Sequence, residues 1–102
     1  MFDREALIAA VTASLERSGE QIVDRMREVA PQDSGDLVAG ISSAIDSDQL
    51  TLTIRSDAPH SRYVEDGTAN TPAQPFFYPT IREFEDRVYD DLAKAAKEAL
   101  DQ

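Results

Sequence analysis

A chain of 102 residues with 41% hydrophobic and 29% charged residues has the composition of one globular domain, able to bury roughly 65% of its unfolded surface in a single modest core. With no cysteine and one histidine it excludes disulfides, thiol nucleophiles, thiolate metal sites and zinc sites built from several imidazoles. Twenty acids against ten bases give a net charge of −10, with no basic patch to hold phosphates or an anionic membrane surface.

The longest apolar run, Leu7 to Val11, falls short of the ~20 apolar residues of a membrane span. Met1 to Glu5 lacks the basic start and apolar stretch of a signal peptide, so the expectation is a chain made and kept in the cytosol. The first predicted element is a helix from about Asp3 to Ala30. Leu7, Ile8, Val11, Leu15, Ile22, Met26 and Val29 recur at helical steps along one stripe. Asp3 is its expected N-cap and Pro31 its stop, while Ser18-Gly19 interrupts the stripe and leaves room for a mild bend or a weaker turn. About 28 residues of helix is ~42 Å, longer than a small domain is wide, so part of it is expected to project beyond its own core.

A turn cluster follows over Pro31 to Leu37, with a short helical turn running into Leu37 and Val38. Ala39 to Asp46 reads as a strand, Asp46 to Gln49 as a tight connection, and Leu50 to Arg55 as a second strand with strict apolar–polar alternation. This β-hairpin has one buried face and is marginal alone, so it must pack on the helices or extend its sheet with another chain's strand. His60 to Glu65 predicts a short helical turn ending at Asp66-Gly67, with positive φ at Gly67 that asparagine would tolerate better than valine. Thr68 to Tyr78 is an irregular loop, and Pro79 opens a final amphipathic helix carrying Ile81, Phe84, Val88, Leu92, Ala95, Ala96 and Leu100. The fold class is α+β: a long N-terminal helix, a small antiparallel sheet, a short helix, an aromatic-proline loop and a C-terminal helix, as one domain over residues 1–102.

Chemistry finds little to work with. His60 and Ser61 are chain neighbours, which rarely aim their side chains at each other, and the many paired carboxylates read as solvated surface or helix caps. Asp46-Ser47-Asp48 begins like a calcium loop but lacks its later glycine and glutamate. No catalytic residue, metal or cofactor is expected. One segment departs from ordinary filler: Tyr63-Val64-Glu65-Asp66-Gly67-Thr68, then Pro72-Ala73-Gln74-Pro75-Phe76-Phe77-Tyr78-Pro79. Its aromatics either plug the domain's own core or form part of an inter-subunit surface; both hold if one ring faces in and the other out.

Two blocks carry a resemblance. Pro31-x-Asp33-Ser34-Gly35-x-Leu37, with Ile41 after it, is similar to a proline–acid–Thr/Ser–Gly–x–Leu run that precedes a strand. Tyr63-x-Glu65-x-Gly67-Thr68, followed by Pro72, Pro75, Phe76, Phe77 and Pro79, is similar to a glutamate, one residue, Gly-Thr, then a Pro-Ala-x-Pro-Phe run opening the last helix. In order and spacing, over roughly Leu7 to Leu100, they resemble the neck or tail-completion proteins of long-tailed bacteriophages, often labelled minor tail component. Two departures are His60-Ser61-Arg62, where the family often has alanine beside the tyrosine, and Thr80 after Pro79, where it favours alanine.

The resemblance implies a structural virion subunit, from a phage, prophage or gene transfer agent, assembled in the bacterial cytoplasm. It implies a homo-oligomeric ring of six or twelve copies at the head–tail junction, joining connector or head-closure proteins to tail-terminator or tail-tube proteins. DNA would pass through without specific binding. Asp33, Gly35, Leu37, Tyr63, Glu65, Gly67, Thr68, Pro72, Pro75, Phe76, Phe77 and Pro79 are the candidate structural or interface residues. A tail terminator, a connector adaptor and a small acidic regulatory binding module are the alternatives.

Overall fold

The computed structural model describes residues 3–32 and 35–101. Helix α1 spans Arg4–Val29, α2 Asp36–Ala39, strand β1 Ile41–Asp46, β2 Thr51–Ser56, α3 Ser61–Asp66 and α4 Tyr78–Leu100. This is the expected α+β order, with β1 and β2 antiparallel.

Asp3 caps α1 by accepting the Ala6 N–H at 3.1 Å, and Glu5 in the first turn with Arg27 in the last suits the helix dipole. Beyond Pro31 the Gln32 side-chain amide donates to the carbonyls of Arg27 and Ala30, both at 2.7 Å, closing the helix end. At Ser18-Gly19, where the stripe is interrupted, α1 runs unbroken through both residues, which are buried. Gly19 serves packing instead. A Cβ there would lie 2.9 Å from Leu52 Cδ1 and 3.2 Å from Ser43 Cβ, so the missing side chain lets the hairpin cross α1 closely.

Strand β1 starts at Ile41 rather than Ala39, because α2 takes residues 36–39 and Gly40 ends it with an N–H donated back to Asp36. Ile41 pairs with Ser56, Ser43 with Ile54 and Ile45 with Leu52, so these six side chains share one face, and Ser42, Ala44, Asp46, Thr51, Thr53 and Arg55 take the other. Leu50 departs from the alternation that placed it in β2. It closes a four-residue turn with φ 50°, and its side chain is exposed. The register Asp46–Thr51 leaves 47–50 to reverse the chain, and Asp46 Oδ1 shapes that reversal by accepting the N–H groups of Asp48 and Gln49. A left-handed non-glycine residue costs about 1–2 kcal/mol.

The core gathers Ile22, Val23, Met26 and Ala30 of the α1 end, Leu37, Ile41, Ala58, Phe76 and Phe84. Helix α1 is the element on which both α4 and the hairpin pack. Arg25 Nη1 donates to Glu28 at 3.1 Å and its Nε lies 3.6 Å from Glu83 of α4; the Glu28 hydrogen bond, aided by Glu83, raises the guanidinium pKa. Arg17 shares a hollow with Asp91, Lys94 and Glu98, so the two helices run antiparallel. The start of α1 therefore lies along the end of α4, giving a body of 61 × 21 × 18 Å. There Leu7, Ile8 and Val11 are only half-buried and Leu100 is exposed, so the long helix does outrun its core. Val29 is also exposed, against its place on the stripe: at that end Val23 and Ala30 turn the core toward their own side of the helix.

Candidate functional site

Helix α4 begins without a cap of its own, since Phe77 at the N-cap position makes no side-chain hydrogen bond. Glu65 of α3 supplies one from 11 to 13 residues away. Its Oε1 accepts the N–H groups of Phe76 and Phe77, each at 2.9 Å, and its Oε2 accepts that of Tyr78 at 3.0 Å. A carboxylate at a helix N-terminus meets unpaired donors and the positive end of the dipole at once. Thr80 completes the junction, its hydroxyl donating to the Phe76 carbonyl at 2.7 Å.

The loop between is held at both ends. Gln74 N–H donates to the Val64 carbonyl at 2.8 Å, and Thr68 N–H to Thr71 at 2.8 Å, with Thr68 Oγ1 accepting the Thr71 N–H in return at 3.1 Å. Gly67 makes the reversal, at φ 78° and ψ 174°. The positive φ is as expected, but the ψ lies in the region only glycine populates, not the left-handed helical region asparagine tolerates. A Cβ would also stand 2.8 Å from Ala73 N, so the preference expected for asparagine over valine is lost.

The aromatic run divides by burial. Phe76 is sealed in the core at 1% exposure, Phe77 is half-buried, and Tyr78 is 59% exposed. The rings pack edge to face, 6.3 Å apart for Phe76–Phe77 and 5.2 Å for Phe77–Tyr78. Phe77 and Tyr78 line an open groove of about 430 Å³ with Ser56, Ser61, Arg62 and Asp66, above Glu65 and Phe76. Arg62 Nε lies 3.6 Å from Asp66, both side chains well exposed.

The groove does not assemble a catalytic set. The Ser61 hydroxyl donates to the Ser56 carbonyl at 3.2 Å rather than pairing with His60, and the Asp46 carboxylate is engaged by its own turn. Among the described residues no three His, Cys, Asp or Glu side chains come together as a metal site. No helix of the described residues is long and apolar enough to cross a membrane.

Residues 4–67 match the family model described as "Bacteriophage HK97-gp10, putative tail-component". That is well over half of the chain. The chain belongs to the HK97-gp10-like family. Its members are phage tail components, so the family assigns a structural part of the virion that meets other virion proteins. No curated protein and no solved structure gives a significant match. The family match covers Gly35, Leu37, Tyr63, Glu65 and Gly67, while Thr68, the aromatic run and α4 follow it in sequence.

The two blocks that carry the resemblance meet in space. Leu37 and Ile41 from the first share the core with Phe76 from the second, with Val64 and Phe77 packed against it. Glu65, Phe76, Phe77 and the start of α4 form one hydrogen-bonded junction, with Pro79 the second residue of that helix. Tyr63, Thr68, Pro72 and Pro75 lie outside the core, exposed. Gly35 stands before α2 at φ 78°, and Asp33 lies outside the described residues. Sequence reasoning missed the long-range cap and Leu50 as a turn residue. The signal for the first was present: a helix start with proline and no Ser, Thr, Asp or Asn before it needs a donor-satisfying group from elsewhere.

Proposed function

We propose that this tail-component family member is a single-domain subunit over residues 1–102 that forms a ring at the phage head–tail junction, joining connector to tail. The family membership carries the reading. The physical traits that support it are the elongated body, the half-buried apolar residues along the α1–α4 arm, and a two-stranded sheet with no third strand among the described residues. Bare strand edges and half-covered apolar stripes are what an assembling subunit offers its neighbours. Closed rings follow from head-to-tail contacts repeated around an axis.

In this reading acids line the DNA passage, since an anionic wall does not hold a polyanion. Glu83, Asp86 and Asp90 fall on one exposed stripe of α4, spaced by three and four residues. Glu83 is partly engaged by Arg25, which leaves Asp86 and Asp90 as the freer charges of that stripe. The test is deletion of the gene followed by electron microscopy of the particles. Filled heads and finished tails that fail to join, restored by the wild-type chain as a ring at the junction, are expected. Particles that join normally without it overturn the reading. A density at the tail end alone favours a tail terminator, and a monomer that never enters particles favours a regulatory binding module.

A further inference from the structure

We infer that the hairpin turn of one copy docks into the aromatic groove of the next, with Leu50 seated against Phe77 and Tyr78. Repeated head to tail, this contact closes the ring proposed above, on which the inference rests. Leu50 is out of place by two local criteria. It is the one non-glycine residue with positive φ among the described residues, in a position that suits glycine or asparagine. Its side chain is also 42% exposed and lies outside the core cluster. Strain of this kind persists where the residue serves something beyond its own turn.

The groove matches the turn in size and chemistry, and its one base can meet the turn's acids. Its 430 Å³ falls within the ~300–1,000 Å³ of binding clefts, enough for a leucine and part of its turn. Phe77 and the exposed Tyr78 give it an apolar wall. The turn carries Asp46 and Asp48 and no base, whereas the groove rim carries Arg62, its side chain 88% exposed. Arg62 Nε lies 3.6 Å from Asp66, beyond hydrogen-bond length, and a guanidinium carries five donors, enough to serve Asp48 of the next copy as well. Glu65, the other acid of the groove, is already engaged by three amides.

Turn and groove sit at opposite ends of the hairpin. Strand β2 leads from the turn to Ser56, which lines the groove, over six residues of ~3.4 Å rise, or ~20 Å. A knob and a hollow that far apart on one rigid hairpin cannot meet within a copy. They meet between copies, heterologously, in the arrangement that gives rings when the rotation closes.

Because the chain has no cysteine, introduced thiols report the contact without background. Leu50→Cys and Tyr78→Cys chains are mixed and oxidised, both purified and in particles assembled in the host. The expected product is the mixed 50–78 disulfide, in excess over 50–50 and 78–78 links. In parallel, Leu50→Gly is expected to melt at or above the wild-type temperature, because it relieves the backbone, yet to lose ring assembly. Rings of Leu50→Gly equal to wild type, or like-with-like links in excess, overturn the docking while the ring reading stands. A 50–78 link in open filaments supports the docking and breaks the ring reading. Wild type that forms neither rings nor the 50–78 link in both settings overturns both.

Discussion

The two ends of α1 carry the same kind of apolar stripe and meet different fates. Toward its C-terminus, Ile22 and Met26 are sealed between the hairpin, α4 and the buried Phe76. Toward its N-terminus, on the stretch that runs along the end of α4, Leu7, Ile8 and Val11 are only half-buried. Periodicity says which face of a helix turns inward. How deeply it is buried depends on how many elements meet there, and at the sealed end the hairpin, α4 and the aromatic loop all do. The closed end holds the core of the chain, and the arm leaves its apolar stripe half-covered.

The largest expected effect breaks the closed end. Phe76→Ala empties a site at 1% exposure and should destabilise by about 3–5 kcal/mol in denaturant unfolding, whereas Val11→Ala in the arm should cost under about 1.5 kcal/mol. Equal losses would mean that the arm is as well packed as the core. Next comes the clasp. Glu65→Ala strands the amides of Phe76, Phe77 and Tyr78, and a loss of about 1–3 kcal/mol is expected, with Glu65→Gln recovering part of it through its remaining oxygen. If Glu65→Ala unfolds at the wild-type midpoint, water caps α4 equally well.

At Gly67, asparagine and valine should destabilise alike, by about 1–3 kcal/mol, because neither suits φ 78° with ψ 174°. A clear advantage for asparagine in thermal melts would point to a left-handed helical backbone instead. The smallest effect belongs to Gly19→Ala. The gain of about 1 kcal/mol in helix propensity is offset by a Cβ 2.9 Å from Leu52 Cδ1, the movable end of its side chain, so a net change within ~1 kcal/mol is expected. Gly19→Leu, with nowhere to go, should cost more than Gly67→Ala; the reverse order would place the hairpin farther from α1.

Both long helices and the hairpin were legible because three- and four-residue steps and strict alternation survive any tertiary context. Phe76 facing in and Phe77 facing the groove follow from a proline-rich loop that must anchor a helix. Other features turn on information that no local pattern holds. A glycine inside a helix marks either a break or a close neighbour, and only the hairpin crossing at Gly19 decides between them. Leu50 continues the alternation of Leu52 and Ile54, so the pattern cannot show where the turn ends. Glu65 reaches its amides across the chain reversal at Gly67, and periodicity is blind to contacts across a loop.

The arm has a consequence in hydrodynamics. A compact chain of this length has a radius of gyration of ~13 Å, against 16.5 Å here. Since swept volume grows as the cube of that radius, one elongated copy displaces roughly the volume of two compact ones. On a sizing column calibrated with globular standards the monomer will elute near the position of a dimer. Light scattering, which weighs the particle rather than timing its passage, separates the two.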